Sequence, residues 1–202
     1  MSSLPPVGSL SFREVKAYYE AIASAAPDLP VLVYYFPEFS KSIATLDQIF
    51  DLCTISNVVG LKFTDFDLYR MSLISREGRI ILNGRDEVFA AGVLMGAGGG
   101  IGSFYNLVPE LFVEVWQHAG AGRYNRARKV QDRINDLIRL VLRFPMLPAL
   151  KTILGWSGID CGPAVAPRRQ LTAEESERLR RELQTAQFDP EGFLAGKSMS
   201  PA

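Results

Sequence analysis

The sequence predicts an α/β fold in which helices alternate with the strands of a parallel sheet. Short apolar runs of strand length alternate with amphipathic segments of helical period over the first half of the chain. The connections between them are short, as expected for helical crossovers between parallel strands. Polar side chains cluster directly after these strands, where parallel α/β folds place their functional sites. Beyond the last strand the pattern is helical only.

The predicted strands and helices follow from local signals. Ser11 and Glu14 form a capping box at the start of the first helix, and Pro37 closes the first strand. The predicted strands span residues 31–36, 79–83 and 98–104, and a further strand begins at residue 58 and has Lys62 near its end. The predicted helices span residues 11–25, 45–55, 68–76, 87–95, 107–119, 124–142, 149–156 and 173–183, with prolines 145 and 148 separating the sixth from the seventh.

Composition excludes several classes of partner. The 22 basic residues balance 22 acidic ones, so no overall field attracts nucleic acid or an acidic membrane surface. Cys53 and Cys161 lack metal-ligand spacing, and they are typical of reduced thiols in a cytosolic protein. No basic and apolar leader begins the sequence, and no apolar run reaches membrane-spanning length. We therefore expect a cytoplasmic protein without nucleic-acid or membrane partners.

Lys62 stands near the end of an apolar strand that begins at Val58. Burial disfavours the charged ammonium form, and a neutral amine in a dry pocket is what Schiff-base chemistry with a carbonyl substrate requires. Alternatively, the lysine leaves the strand and reaches water along its own methylene groups. The strand alone does not decide between these two interpretations.

Polar side chains also follow the other predicted strands, at the same edge of the sheet as Lys62. Parallel strands end at one edge of a sheet, so we expect these side chains to converge. They are Tyr34, Lys62, Thr64, Asp86, Glu87 and Ser103. The single histidine, His118, lies near the end of a predicted helix, where histidine interacts favourably with the helix dipole. The chemistry must therefore rest on Lys, Tyr, Asp, Glu or Ser, and the glycines at 98–102 lack the spacing of a phosphate-binding loop.

Four motifs in order resemble a known family. The segment at 158–163 adds to the resemblance, which covers residues 10–183. The four are Val33-Tyr34-Tyr35-Phe36-Pro37, Gly60-Leu61-Lys62-Phe63-Thr64-Asp65, Asn83-Gly84-Arg85-Asp86-Glu87 and Gly99-Gly100-Ile101-Gly102-Ser103. Together they resemble the N-acetylneuraminate lyases, class I aldolases of the dihydrodipicolinate synthase superfamily.

The resemblance implies a (β/α)8 barrel, of which this chain carries strands 5 to 8 and the C-terminal helices. It implies that Lys62 forms the Schiff base with pyruvate, with Tyr34 beside it as the proton relay and Thr64 nearby. The hydroxyls of a sugar-acid tail would be held by Asp86, Glu87, Ser103 and the backbone of Gly84. It further implies no cofactor and no metal, with pyruvate and a sugar acid as small-molecule partners and a homo-oligomer, a tetramer in the family.

Each of these residues also has a structural interpretation. Tyr34 could pack against the next helix, Asp86 and Glu87 could cap the helix that they begin, and Ser103 could serve a turn. Lys151 is a second lysine in an apolar segment, and its helical context indicates a surface group.

The sub-branch of the superfamily follows from the residues after Tyr34 and Lys62. Pro37 is not followed by the arginine of the dihydrodipicolinate synthases, and Lys62 is followed by Phe63 and Thr64 rather than by Glu-Ala. Both differences favour the lyase branch. The segment 38–42 departs from the small, glycine-containing loop of the lyases, and it leaves the sugar acid open.

The family's early motif that grips the pyruvate carboxylate has no counterpart in this sequence. We expect residues 1–122 to form half a barrel, 123–190 a helical extension and 191–202 a disordered tail. An open half barrel leaves strand edges unpaired. Three interpretations therefore stand. The chain is a lyase whose missing half barrel is supplied by another chain or by dimerisation of half barrels, a non-catalytic half barrel or interaction module, or a related pyruvate-dependent aldolase or dihydrodipicolinate synthase-like enzyme.

Overall fold

A computed structural model describes residues 10–39 and 41–189. The tail predicted at 191–202 lies outside the described residues. The chain divides after residue 101 into two compact units.

The first unit is built on a parallel sheet. In the part of the chain described, its four strands lie in the order β1-β2-β3-β4, each parallel to its neighbour. Their bounds are β1 Val31–Tyr35, β2 Val58–Phe63, β3 Ile80–Asn83 and β4 Gly99–Gly100. The prediction of a parallel sheet is confirmed. The strand predicted at 98–104 was too long, because only two residues pair with β3 and a 3-10 turn follows at Phe104–Asn106.

Four helices belong to this unit: the first precedes β1, and the other three connect successive strands. They are α1 Phe12–Ala25, α2 Leu46–Leu52, α3 Leu68–Arg76 and α4 Phe89–Leu94. Ser11 and Glu14 form the predicted capping box on α1, and Thr45 and Gln48 form a second one on α2. The helix predicted at 87–95 begins later, because Asp86–Val88 is a 3-10 turn.

The sheet has one covered face and one open face. Strand residues enter a core that α1, α2 and α3 complete with Val15, Ile49 and Met71; the strand members are Val31, Val33, Tyr35, Val58, Leu61, Phe63 and Ile81. Residues between them in the strands lie on the opposite face, where Tyr34, Lys62 and Leu82 are half-buried. Ile80 on that face is 50% exposed. Gly60 has no room for a side chain, since an added Cβ would lie 1.8 Å from the carbonyl oxygen of Ile80.

The second unit is helical. Its helices are α5 Pro109–Gly120, α6 Tyr124–Val141, α7 Met146–Trp156 and α8 Ala173–Thr185. The prediction that α7 begins after Pro148 was wrong: Pro148 lies inside its first turn, where the missing N–H breaks no helical hydrogen bond. Within the ranges described, no helix is long and apolar enough to cross a membrane.

Candidate active site

Tyr34 and Lys62 are direct neighbours on the open face of the sheet. The register of β1 against β2 pairs the two residues, so both side chains leave the sheet in the same direction. The Nζ atom of Lys62 lies over the Tyr34 ring, 3.9 Å from the ring centroid. An aromatic face attracts a cation, so the ring stabilises positive charge at this nitrogen.

Lys62 is half-buried rather than enclosed. Its neighbours in the strand, Leu61 and Phe63, are both fully buried in the core on the other side of the sheet. The stem of the lysine leaves an apolar strand, and its amine lies against an aromatic ring on the open face.

Tyr34 does not belong to the helix-covered core. The side chains before and after it, Val33 and Tyr35, are 1% exposed and enter that core, whereas Tyr34 lies on the other face. Its backbone N–H, which points away from β2, donates to the hydroxyl of Tyr19 in α1 at 3.0 Å. The interpretation of Tyr34 as a residue packed against a helix is therefore wrong.

Thr64 and Gly84 form a second close pair, immediately after β2 and β3. The Thr64 N–H donates to Tyr35 and the Gly84 N–H to Phe63, each at 2.8 Å, which extends the ladder past the strand ends. A Cβ on Gly84 would lie 2.1 Å from the Thr64 hydroxyl oxygen. That hydroxyl is buried and has no hydrogen-bond partner within the described residues. Glycine at 84 therefore makes room for a buried hydroxyl.

Asn83 orders the turn that carries Gly84 and Asp86, and the sequence prediction missed it. It is fully buried, and its side-chain amide donates to the backbone carbonyl of Arg85 at 2.7 Å. Gly92 in α4 makes room for it, because a Cβ there would lie 2.7 Å from the Asn83 amide oxygen. The signal that the sequence offered was an asparagine at the end of an apolar strand.

Asp86 and Glu87 lie in the 3-10 turn between β3 and α4. Asp86 is buried, with 6% of its surface exposed, and Glu87 is half-buried. Neither residue is the N-cap of α4, which is Val88, but both lie in the first turn of the 3-10 helix that leads into α4, where acidic side chains interact favourably with the helix dipole. In the two described ranges, no group of three or more His, Cys, Asp or Glu side chains is arranged to hold a metal ion.

Ser103 belongs to the second unit. It is exposed, and its carbonyl accepts a hydrogen bond from the Asn106 side chain at 3.0 Å. The predicted turn role is therefore present. The rival lysine, Lys151 in α7, donates to the carbonyl of Cys161 at 2.6 Å and to two further carbonyls of the same loop. It anchors that loop.

Arg85 forms a cluster at the strand ends that sequence reasoning also missed. The centre of its guanidinium group lies 4.3 Å from the Phe66 ring centroid and 5.4 Å from that of Phe36. It forms an ion pair with Glu38, and this contact lowers the pKa of the Glu38 carboxyl below its ordinary value. The sequence offered only an arginine in the turn after β3, without a sign of its partners.

A parallel sheet with helical crossovers, and with a lysine and a tyrosine at neighbouring positions near its strand ends, defines the class: an α/β protein with an amine at the edge of the sheet where such folds carry their sites. The dihydrodipicolinate synthetase family matches residues 4–186, and the chain belongs to that family. An N-acetylneuraminate lyase of Rhizobium meliloti is 34% identical over 183 residues, which are 89% of this chain and 60% of that protein. An Escherichia coli N-acetylneuraminate lyase is 39% identical over 76% of this chain and 52% of that protein.

Solved structures give the same result. A sialic acid aldolase of Ruminococcus gnavus superposes on 91% of this chain and 63% of its own, with 27% identity and a TM-score of 0.84. CdNal of Clostridium difficile, solved in complex with mannosamine, superposes on 91% of this chain and 64% of its own, with 25% identity and a TM-score of 0.85. The chain thus spans between half and two-thirds of the length of these relatives. The predicted family and the partial barrel are confirmed.

Proposed function

We propose that this chain carries the Schiff-base site of an aldolase that cleaves N-acetylneuraminate, or a closely related sugar acid, to pyruvate and N-acetylmannosamine. The observation that carries the proposal is the position of the Lys62 amine against the Tyr34 ring on the open face of the sheet. The names of the relatives support the substrate class.

In the proposed mechanism, the neutral Lys62 amine adds to the ketone of the open-chain sugar acid, and the resulting carbinolamine takes up one proton from solvent and loses water, which gives an iminium ion. The iminium withdraws electrons from the bond to be broken. Tyr34, as proton relay, takes the proton of the hydroxyl on the departing carbon, and an aldehyde and an enamine result. Protonation of the enamine and hydrolysis then release pyruvate and restore the amine.

The sugar-acid tail would be held by groups at the strand ends. Carboxylates accept hydrogen bonds from hydroxyls, and Asp86 and Glu87 supply two of them on one short turn. The buried Thr64 hydroxyl and the adjoining Gly84 backbone add further polar groups. No cofactor takes part in this proposal.

Borohydride trapping tests the proposal directly. We expect pyruvate and borohydride to modify Lys62 covalently, as found by mass spectrometry of the peptide that contains it, and Lys62→Ala to abolish the adduct. Lys151→Ala is the matched control, since it removes a lysine that binds loop carbonyls, and it should leave the adduct on Lys62 intact. A wild-type chain that folds but gives no adduct, or an adduct at another lysine, would overturn the proposal.

The open face of the sheet favours a second candidate, an interaction module or half barrel without activity. Ile80 is 50% exposed there, and about two-fifths of the length of the Rhizobium meliloti relative lies outside the match. Under the lyase proposal that face is covered by the remainder of a barrel in a cytoplasmic homo-oligomer. Light scattering during the trapping experiment separates the two candidates: an assembly that traps pyruvate supports the lyase, and one that binds itself without trapping supports the module.

A further inference from the structure

The Arg85 cluster joins three loops that follow three different strands. Phe36 and Glu38 come from the segment after β1, Phe66 from the segment after β2, and Arg85 from the turn after β3. Arginine is suited to this place because its planar guanidinium group can lie on aromatic rings and pair with a carboxylate at the same time. The compact ammonium group of lysine cannot do both.

Direct contact between Arg85 and a ligand does not explain the cluster. The Nε and Nη2 atoms of Arg85 are both buried, and only 15% of its side chain is exposed, whereas the side chain of Glu38 is 61% exposed. A buried cation needs a partner, and the Glu38 carboxylate supplies the opposite charge. Arg85 therefore bears on the site through the groups that it holds.

A continuous stack leads from Arg85 to the reactive amine. The guanidinium centre lies 5.4 Å from the Phe36 ring centroid, and the Phe36 ring stacks on Tyr34 at 6.0 Å with an interplanar angle of 15°. Tyr34 in turn lies 3.9 Å from the Lys62 Nζ atom. Because stacked rings constrain one another, a shift of Phe36 changes the position of the Tyr34 ring.

We propose that Arg85 is a positioning residue: with Glu38 it fixes the Phe36 ring, and through Phe36 it fixes Tyr34 against Lys62. The consequence for catalysis rests on the proposed function, in which Tyr34 is the proton relay. The inference itself concerns the position of the Tyr34 ring relative to the Lys62 amine, which can be measured without enzyme turnover.

Nuclear magnetic resonance of the full chain labelled with 13C-lysine measures that position. The face of an aromatic ring shifts nearby protons upfield, so we expect the Lys62 ε-methylene protons to resonate upfield of those of free lysine. Arg85→Met keeps much of the apolar volume and removes the charge, and we expect it to lose most of this displacement. Glu38→Gln should act in the same direction, and Arg85→Lys should fail to restore the displacement.

Arg70→Met is the matched control. Arg70 contacts the next tyrosine, Tyr35, from the covered side of the sheet, so its loss should lower the melting temperature but leave the Lys62 shift unchanged. A folded Arg85→Met protein with the full displacement would overturn the proposal, as would a wild-type chain with none. If Arg85→Met does not fold, the Glu38→Gln shift alone decides, because that variant keeps the guanidinium group and removes its counter-charge.

Pyruvate trapping distinguishes failure of this inference from failure of the proposed function. Trapping on Lys62 together with unchanged shifts in the variants would leave the lyase proposal standing and refute the role of Arg85. Shifts that move as expected without any trapping would support the role of Arg85 as positioning residue and refute the Schiff-base chemistry.

Discussion

The amine of Lys62 lies 3.9 Å from the centroid of the Tyr34 ring, across the boundary between two paired strands. Contacts of this kind contribute about 0.5–1 kcal/mol when exposed and about 2 kcal/mol when desolvated. An iminium ion keeps the positive charge on the same nitrogen, so the ring face stabilises the proposed intermediate as well as the free ammonium. The ring and the hydroxyl of Tyr34 thus have separable roles.

Replacement of Tyr34 by Phe and by Leu separates those roles. Tyr34→Phe keeps the ring face, so we expect near-normal borohydride trapping of pyruvate on Lys62. Its cleavage of the sugar acid should fall about 10²–10⁴-fold, the usual contribution of a general acid–base group. Tyr34→Leu loses the ring as well, and trapping itself should fall. The measurements are adduct yield by mass spectrometry and pyruvate release.

Tyr18→Phe is the control for a tyrosine hydroxyl elsewhere in the same unit, since Tyr18 lies in α1, outside the site. It should change neither quantity. Equal cleavage by wild type and Tyr34→Phe would show that another group moves the proton.

Gly84 and Thr64 should show strong energetic coupling. A Cβ at position 84 would lie 2.1 Å from the Thr64 hydroxyl oxygen, so we expect Gly84→Ala to destabilise the chain by about 1–3 kcal/mol through overpacking. Thr64→Ala removes that oxygen, and the cost of Gly84→Ala should be smaller in its presence. A double-mutant cycle measured by urea unfolding gives the coupling free energy.

Gly155→Ala provides the matched control, because nothing lies within 4 Å of a Cβ at that position in α7. We expect it to stabilise the helix by up to about 1 kcal/mol, since alanine favours helices more than glycine does. Additive effects of Gly84→Ala and Thr64→Ala would contradict the close approach of the two residues.

Much of the first unit could be predicted because its signals are local. Helix α3 was predicted with its observed bounds, and the capping box of α1 is present as Ser11 and Glu14 indicated. The parallel sheet followed from apolar strands separated by helices. The length of β4 could not be predicted, because its two glycines show no alternation of apolar and polar side chains. Only the register with β3 sets where the pairing ends.

The site was predictable where residues follow strands and unpredictable where loops meet. Tyr34 and Lys62 could be proposed as neighbours because parallel strands align their ends, and the register confirms that pairing. Arg85 could not, since its partners Glu38 and Phe66 lie far from it in sequence and no period relates them. Such contacts depend on the tertiary arrangement of loops rather than on local propensity.

Acid pH should break the ion pair that begins α8. Contact with the Arg169 guanidinium lowers the pKa of Glu175 to about 2. A carboxyl whose pKa is depressed by folding contributes stability above its unfolded pKa, about 4.3, and loses it as the pH falls through the folded value. We therefore expect this contribution to be complete above about pH 5 and to disappear towards pH 2.

Titration of the Glu175 side-chain carboxyl by 13C nuclear magnetic resonance measures this pKa. Arg169→Met should raise the titration midpoint towards the ordinary value, although the Thr172 N–H still donates to Glu175 at 3.0 Å. A wild-type midpoint at the ordinary value would contradict the ion pair.

Ile80 and Ile81 test whether the open face of the sheet is open in solution. The two side chains are adjacent in β3 and leave opposite faces; Ile80 is 50% exposed and Ile81 is fully buried. Ile81→Ala should cost about 2–5 kcal/mol of unfolding free energy, as for other buried large-to-small changes. Ile80→Ala should cost less than about 1 kcal/mol, because a half-exposed side chain loses few contacts.

The comparison is made by urea unfolding at several protein concentrations. Each variant is the control for the other, since both remove the same atoms from the same strand. If the two changes cost the same, the face that carries Tyr34 and Lys62 is covered in solution, and unfolding that depends on concentration would show that the cover is a second chain. Equal costs without concentration dependence would contradict the half-exposed position of Ile80 within a single chain.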